Sequence, residues 1–140
     1  MSRVIKFRVY DKTKGYYVAI RDNDCFDIRQ TARVVVELTS LGHEFILEQF
    51  TGLKDKNGKE IYDGDIVKYL SYRKECIGQV VFDFVDDSEG YYVEKHYGWG
   101  IRRDGYNLSL GDYANENMKC ELVEVIGTIH ENPELLEKGE

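Results

Sequence analysis

The stretch Gln49-Phe50-Thr51-Gly52-Leu53-Lys54-Asp55-Lys56-Asn57-Gly58-Lys59-Glu60-Ile61-Tyr62-Asp63-Gly64-Asp65-Ile66-Val67-Lys68-Tyr69 sets short apolar runs between two glycine turns. Asn57-Gly58 is the strongest turn signal in the chain, since both residues tolerate positive φ. Asp63-Gly64-Asp65 is a second tight turn, and it feeds Ile66–Leu70, whose β-branched and aromatic side chains favour a strand. About a dozen residues later Gly78-Gln79-Val80 falls inside the next alternating run, Ile77–Phe84. A glycine within a strand marks a bend or a close backbone approach. A Gly-Asp turn opening one strand and a Gly-x-Val within the next is the arrangement of small SH3-like barrels, where strongly bent strands close on themselves.

Outward from this stretch the chain keeps a period of two. Ile5, Phe7 and Val9 share one face of a first strand, and Lys6, Arg8 and Tyr10 the wet one. The turn Asp11–Gly15 returns the chain into Tyr16–Ile20 as a hairpin. Arg21–Gln30 is polar and irregular; Ala32–Leu38 is a β-branched run read as a strand, and Phe45–Phe50 is another extended piece. Asp86–Gly90 turns the chain into Tyr91–Glu94, Tyr97–Ile101 is a short aromatic strand, and residues 104–118 are a loop anchored by Leu108 and Leu110. Leu122–Ile129 is a strand, after which Asn132 as N-cap and Pro133 at the first helical position open a short C-terminal helix. The expected fold is therefore mainly β: an N-terminal β-hairpin and sheet region over 1–48, then an SH3-like barrel with a short C-terminal helix over 49–140, packed as one compact unit.

The 140 residues carry 19 basic and 26 acidic side chains, a net charge of −7. The balance is uneven, with residues 1–74 at net +3 and residues 75–140 at net −10. A protein that binds nucleic acid by neutralising phosphates usually has a basic surplus, so the charge disfavours that class. The apolar runs fall far short of the roughly 18–20 residues of a membrane span, and the start does not read as a signal peptide. A soluble cytoplasmic protein is expected. Cys25, Cys76 and Cys120 are widely spaced, as are His43, His96 and His130, so buried apolar thiols are expected and neither a metal site nor a cofactor.

No motif carries an obvious chemistry. Asp63 and Asp65 beside Glu60 are placed as an acid–base pair or a cation site would be, yet carboxylates flanking a turn glycine commonly accept backbone N–H groups. Asp55-x-Asn57-Gly58 opens like a calcium loop, but its glycine stands at position four, and position twelve is Ile66. Gly98-x-Gly100 lacks the third glycine of a dinucleotide site. Eleven Tyr, six Phe and one Trp are the more telling feature, because Tyr and Trp contribute most at protein interfaces. The candidate binding residues are Tyr62, Asp63, Asp65, Tyr69, Tyr72 and Trp99.

Three segments resemble one family: Ile5–Asp11, Gln49–Val67 and Val125-Ile126-Gly127-Thr128-Ile129-His130-Glu131-Asn132-Pro133-Glu134-Leu135-Leu136 are similar, in that order, to the YopX family of bacteriophage and prophage proteins. The resemblance implies a mainly-β fold with a C-terminal SH3-like barrel and a phage-encoded protein made in the bacterial cytoplasm. It implies no chemistry. The expected function is a non-catalytic binding or assembly module, a homo-oligomer or a partner of a phage or host protein. The alternatives are a nucleic-acid-binding barrel, with Lys54, Lys56, Lys59, Lys68 and Arg73 converging on Tyr62, Tyr69 or Tyr72, and a hydrolase using Asp63, Asp65 and His130.

Overall fold

The computed structural model describes residues 4–86 and 95–137, with the backbone alone at 84–86 and 95–97. The turn and strand expected over 86–94 fall largely outside the described residues. The chain divides into two compact units, Met1–Gly52 and Leu53–Glu140.

In the first unit strand β1 (Phe7–Asp11) pairs antiparallel with β2 (Tyr16–Tyr17) on one side and with β3 (Phe45–Lys54) on the other. The run expected as a strand at Ala32–Leu38 is instead part of helix α1, Ile28–Ser40. A capping box decides this. The Asp27 carboxylate accepts from the Gln30 N–H at 2.8 Å, and the Gln30 side chain accepts from the Asp27 N–H. Thr31, Val34 and Leu38 then fall on one face at helical spacing and are buried; Val34 and Leu38 close a core with Val9 and Phe26. Burying such aliphatic side chains stabilises by about 1.5–3 kcal/mol each, enough to override the strand preference of three consecutive valines.

The face of β1 expected to be wet, Lys6, Arg8 and Tyr10, is half-buried. Arg8 lies directly opposite Glu48, donates to it from Nε at 2.8 Å and stacks on the Tyr17 ring. The Tyr17 hydroxyl donates to the same carboxylate at 2.6 Å. Glu48 is 1% exposed, a burial that only paired and hydrogen-bonded charge can sustain.

In the second unit five antiparallel strands run in the order β8-β7-β6-β5-β9: β5 Asp65–Ser71, β6 Lys74–Asp86, β7 Lys95–Arg103, β8 Tyr106–Ser109 and β9 Val123–Thr128. The sheet is a curled half-barrel, the strongly bent strands that the glycine turns predict. Its inner face carries Val67, Tyr69, Cys76, Val80, Ile101 and Val123. Gly78 belongs to that face for the reason its place in the strand implied. A Cβ there would stand 2.6 Å from Ile101 Cγ2 and 2.8 Å from the Arg102 carbonyl oxygen.

The expected loop at 104–118 contains β8 and a 3-10 turn, Leu110–Tyr113, with Leu110 fully buried and Leu108 against the core as anticipated. β4 (Glu60–Tyr62) precedes β5, and α2 (Glu134–Glu137) ends the described chain. Asn132 differs from its expected role. Its backbone carbonyl accepts the first helical bond, from Leu135, while its side-chain oxygen reaches back to the Thr128 N–H at 3.3 Å.

Candidate functional site

The 49–69 stretch is built around two buried carboxylates. Asp55 Oδ1 accepts from the backbone N–H groups of Asn57 and Lys59, both at 2.9 Å. Its Oδ2 accepts from the Val125 N–H, also at 2.9 Å, so one side chain ties the turn before β4 to β9. Gly58 alone takes the left-handed conformation, at φ 81°, while Asn57 does not, so the turn rests on Asp55 rather than on an Asn-Gly pair. Asp65, fully buried, accepts from the Tyr62 N–H at 2.7 Å and closes the turn around Gly64. That turn is held in place by the Gly64 N–H donating to Val80 O and the Ile129 N–H donating to Gly64 O.

These bonds locate the sequence candidates. Tyr62, half-buried Asp63 and Asp65 share the Gly64 turn, with Tyr62 itself buried and its hydroxyl 3.3 Å from Glu60. Ile129 brings the chain next to His130 beside the same turn. Tyr69 lies in the core, 2% exposed, with its ring edge-on to Tyr113 at 5.9 Å. Burial, and next the Cys76 thiol, push the Tyr69 hydroxyl up to about 12 despite the opposing Arg103. Burial also pushes the Cys120 thiol up to about 11, and the Asp55 charge adds to it. Cys76 is likewise buried and accepts from Arg103 Nη1, whereas Cys25 is only half-buried. Of the basic residues expected to converge, Lys56 and Lys68 both lie against Glu124, at 3.6 and 3.5 Å.

Tyr72 and Trp99 differ from the buried candidates. Tyr72 is 84% exposed at the turn between β5 and β6, where both Tyr72 (φ 51°) and Arg73 (φ 65°) are left-handed. Trp99 stands directly opposite Phe82 across the β6–β7 pair, the rings edge-on at 5.1 Å. By strand alternation both continue the inner face of Val80 and Ile101. Trp99 still packs on the core, but Phe82 is 58% exposed. Arg102 pairs with Asp83 on the opposite face. The sequence contained the signal for Phe82, two residues beyond Val80 and in phase with it.

The first unit holds a site with no sequence signal, because its partners are 32 residues apart. His43 Nδ1 lies 2.8 Å from Oδ2 of the buried Asp11 carboxylate. Burial alone would raise the Asp11 carboxyl. The Lys14 N–H, the hydrogen bond and charge of His43 and the Thr13 N–H outweigh it and hold the group below its ordinary value. The pair borders a cavity of about 470 Å³ walled by Val18, Val34, Leu38 and Leu41.

The comparisons with known proteins extend to family and fold. No curated protein matches the chain. A crystal structure of protein EF1440 from Enterococcus faecalis is similar at 21% identity and a TM-score of 0.53, covering 96% of this chain and 99% of that one, a likeness of fold alone. The sequence profile described as YopX protein matches residues 6–137, which include both buried-carboxylate turns, and the chain therefore belongs to the YopX family.

Proposed function

We propose that this chain is a non-catalytic binding or assembly module, encoded by a phage or prophage gene, that works in the bacterial cytoplasm through protein–protein contacts and self-associates. The observation that carries this is the Phe82–Trp99 pair, a cross-strand aromatic pair on an inner sheet face with Phe82 left 58% exposed. An exposed ring with a half-buried aromatic behind it is the anatomy of an interface hot spot. The carboxylates that invited a chemical role support the same view, since Asp55 and Asp65 accept from backbone amides within turns.

Sedimentation velocity across micromolar concentrations tests this. The wild-type chain is expected to show a mass above the monomer, and Phe82→Ser to weaken the association about tenfold or more, the effect of losing a hot-spot ring. A monomer at every concentration, with no protein recovered on the tagged chain from phage-infected cells, overturns it.

A further inference from the structure

The cavity bordered by Asp11 and His43, about 470 Å³, falls in the size range of small-molecule sites and joins apolar walls to a few polar groups. Val34 and Leu38 of α1 are buried at it, Val18 is half-buried, and Tyr16, Ile20 and Leu41 stand exposed around it. Exposed apolar side chains grouped at an opening mark a surface that a ligand covers. We infer that this cavity binds a small monocarboxylate with an apolar body, its carboxylate at His43 and Lys14 and its body against Val18, Val34, Leu38 and Leu41. Such a site is independent of the self-association proposed above.

Asp11 gathers the two cations at one end. Its Oδ1 accepts from the Lys14 backbone N–H at 3.0 Å, and its Oδ2 lies 2.8 Å from His43 Nδ1. The His43 charge that helps to keep Asp11 ionised is that of an imidazolium, which carries a proton on each nitrogen. Asp11 takes the Nδ1–H. The Nε2–H has no acceptor and the Lys14 ammonium no ion-pair partner among the described residues. A carboxylate in the cavity supplies both, through a charge-assisted hydrogen bond from His43. Asp11 does not repel it strongly, since that carboxylate is buried and already met by His43 and backbone amides. Glu37, exposed on α1, is the other acid that borders the cavity. It opposes a second negative charge, which selects a monocarboxylate over a dicarboxylate.

Octanoate titrated into the full isotope-labelled chain, followed by amide chemical shifts, tests this. Saturable shifts are expected within residues 11–20 and 34–43, the segments that border the cavity. Octylamine, with the same body and the opposite charge, binds at least about tenfold more weakly. Heptanoate binds about threefold more weakly, the effect of one buried CH2 fewer. His43→Gln, which keeps a donor without the charge, weakens octanoate about tenfold, and Lys14→Gln about threefold. Octanedioate binds more weakly than octanoate, and Glu37→Gln narrows that difference. Lys14 and Glu37 are exposed, so their variants report on the site even where His43→Gln disturbs the fold. Shifts that fail to saturate at millimolar octanoate, or that spread outside the cavity, overturn the site. Octylamine binding as tightly as octanoate, or octanoate affinity unmoved by Lys14→Gln and His43→Gln, overturns it as well.

Discussion

Asp55 shows how much a single side chain holds. Hydrogen bonds to a charged acceptor contribute about 1.5–3 kcal/mol each, and Asp55 accepts three from backbone amides, one of them from Val125, seventy residues away. Asp55→Ala leaves these amides without their acceptor and is expected to cost about 3 kcal/mol or more, read as a fall in the denaturant midpoint. Gly78→Ala tests the opposite kind of constraint. Its Cβ would meet the Arg102 carbonyl oxygen at 2.8 Å, and backbone cannot swing aside, so a loss of about 1–3 kcal/mol is expected. The buried titratable groups act at the extremes of pH. Asp11 has a lowered folded pKa, so its contribution is present above its ordinary 3.8 and lost as pH falls through the folded value. Asp11→Asn should therefore show a shallower acid loss of stability than wild type below about pH 4. Cys120 and Tyr69 are raised, from 9.0 to about 11 and from 10.0 to about 12, so their contribution is full below pH 9 and lost as pH climbs through the folded values. In an alkaline titration followed by tyrosinate absorbance, Tyr69 should ionise only with unfolding.

Elements differed in how plainly the sequence announced them. The strands of the half-barrel were legible because alternation and turn chemistry agree: Gly64 is left-handed at φ 87° where Asp-Gly-Asp predicts a turn, and Gly78 sits under Ile101 where a strand glycine predicts close approach. Helix α1 was masked by Val34-Val35-Val36, whose β-branching outweighs a local signal of only two residues, Asp27 and Gln30. That balance is testable. Disabling the cap with Asp27→Ala is expected to cost about 1 kcal/mol, visible as a lower melting temperature. At the candidate sites, composition raised the tyrosines together without sorting them. Tyr62 and Tyr69 face the interior while Tyr72 stands on a turn, and a count of rings carries no information on which way each points. The Asp11–His43 pair had no signature at all, since its geometry arises only when β1 is set against the segment after α1.

For the whole molecule the question is what a surface of net charge −7 can hold. Residues 75–140 carry net −10, and the surplus of basic side chains lies earlier in the chain. Within the second unit, Lys56 and Lys68 are turned toward Glu124, and Tyr62 and Tyr69, the rings on which bases would stack, are buried. A single strand bound by a barrel needs a cationic track and exposed aromatic platforms in the same place, because phosphate neutralisation supplies most of the affinity and stacking about 1–3 kcal/mol per base. Of the rings expected in that role Tyr72 alone is in solvent, and one platform does not make a track. The expected outcome is that an electrophoretic titration with single-stranded DNA or RNA at low salt shows no shift at micromolar protein. A shift that fades steeply as salt is added would mean that Lys54, Lys59 and Arg73 form a basic face, and would place nucleic acid ahead of protein as the partner.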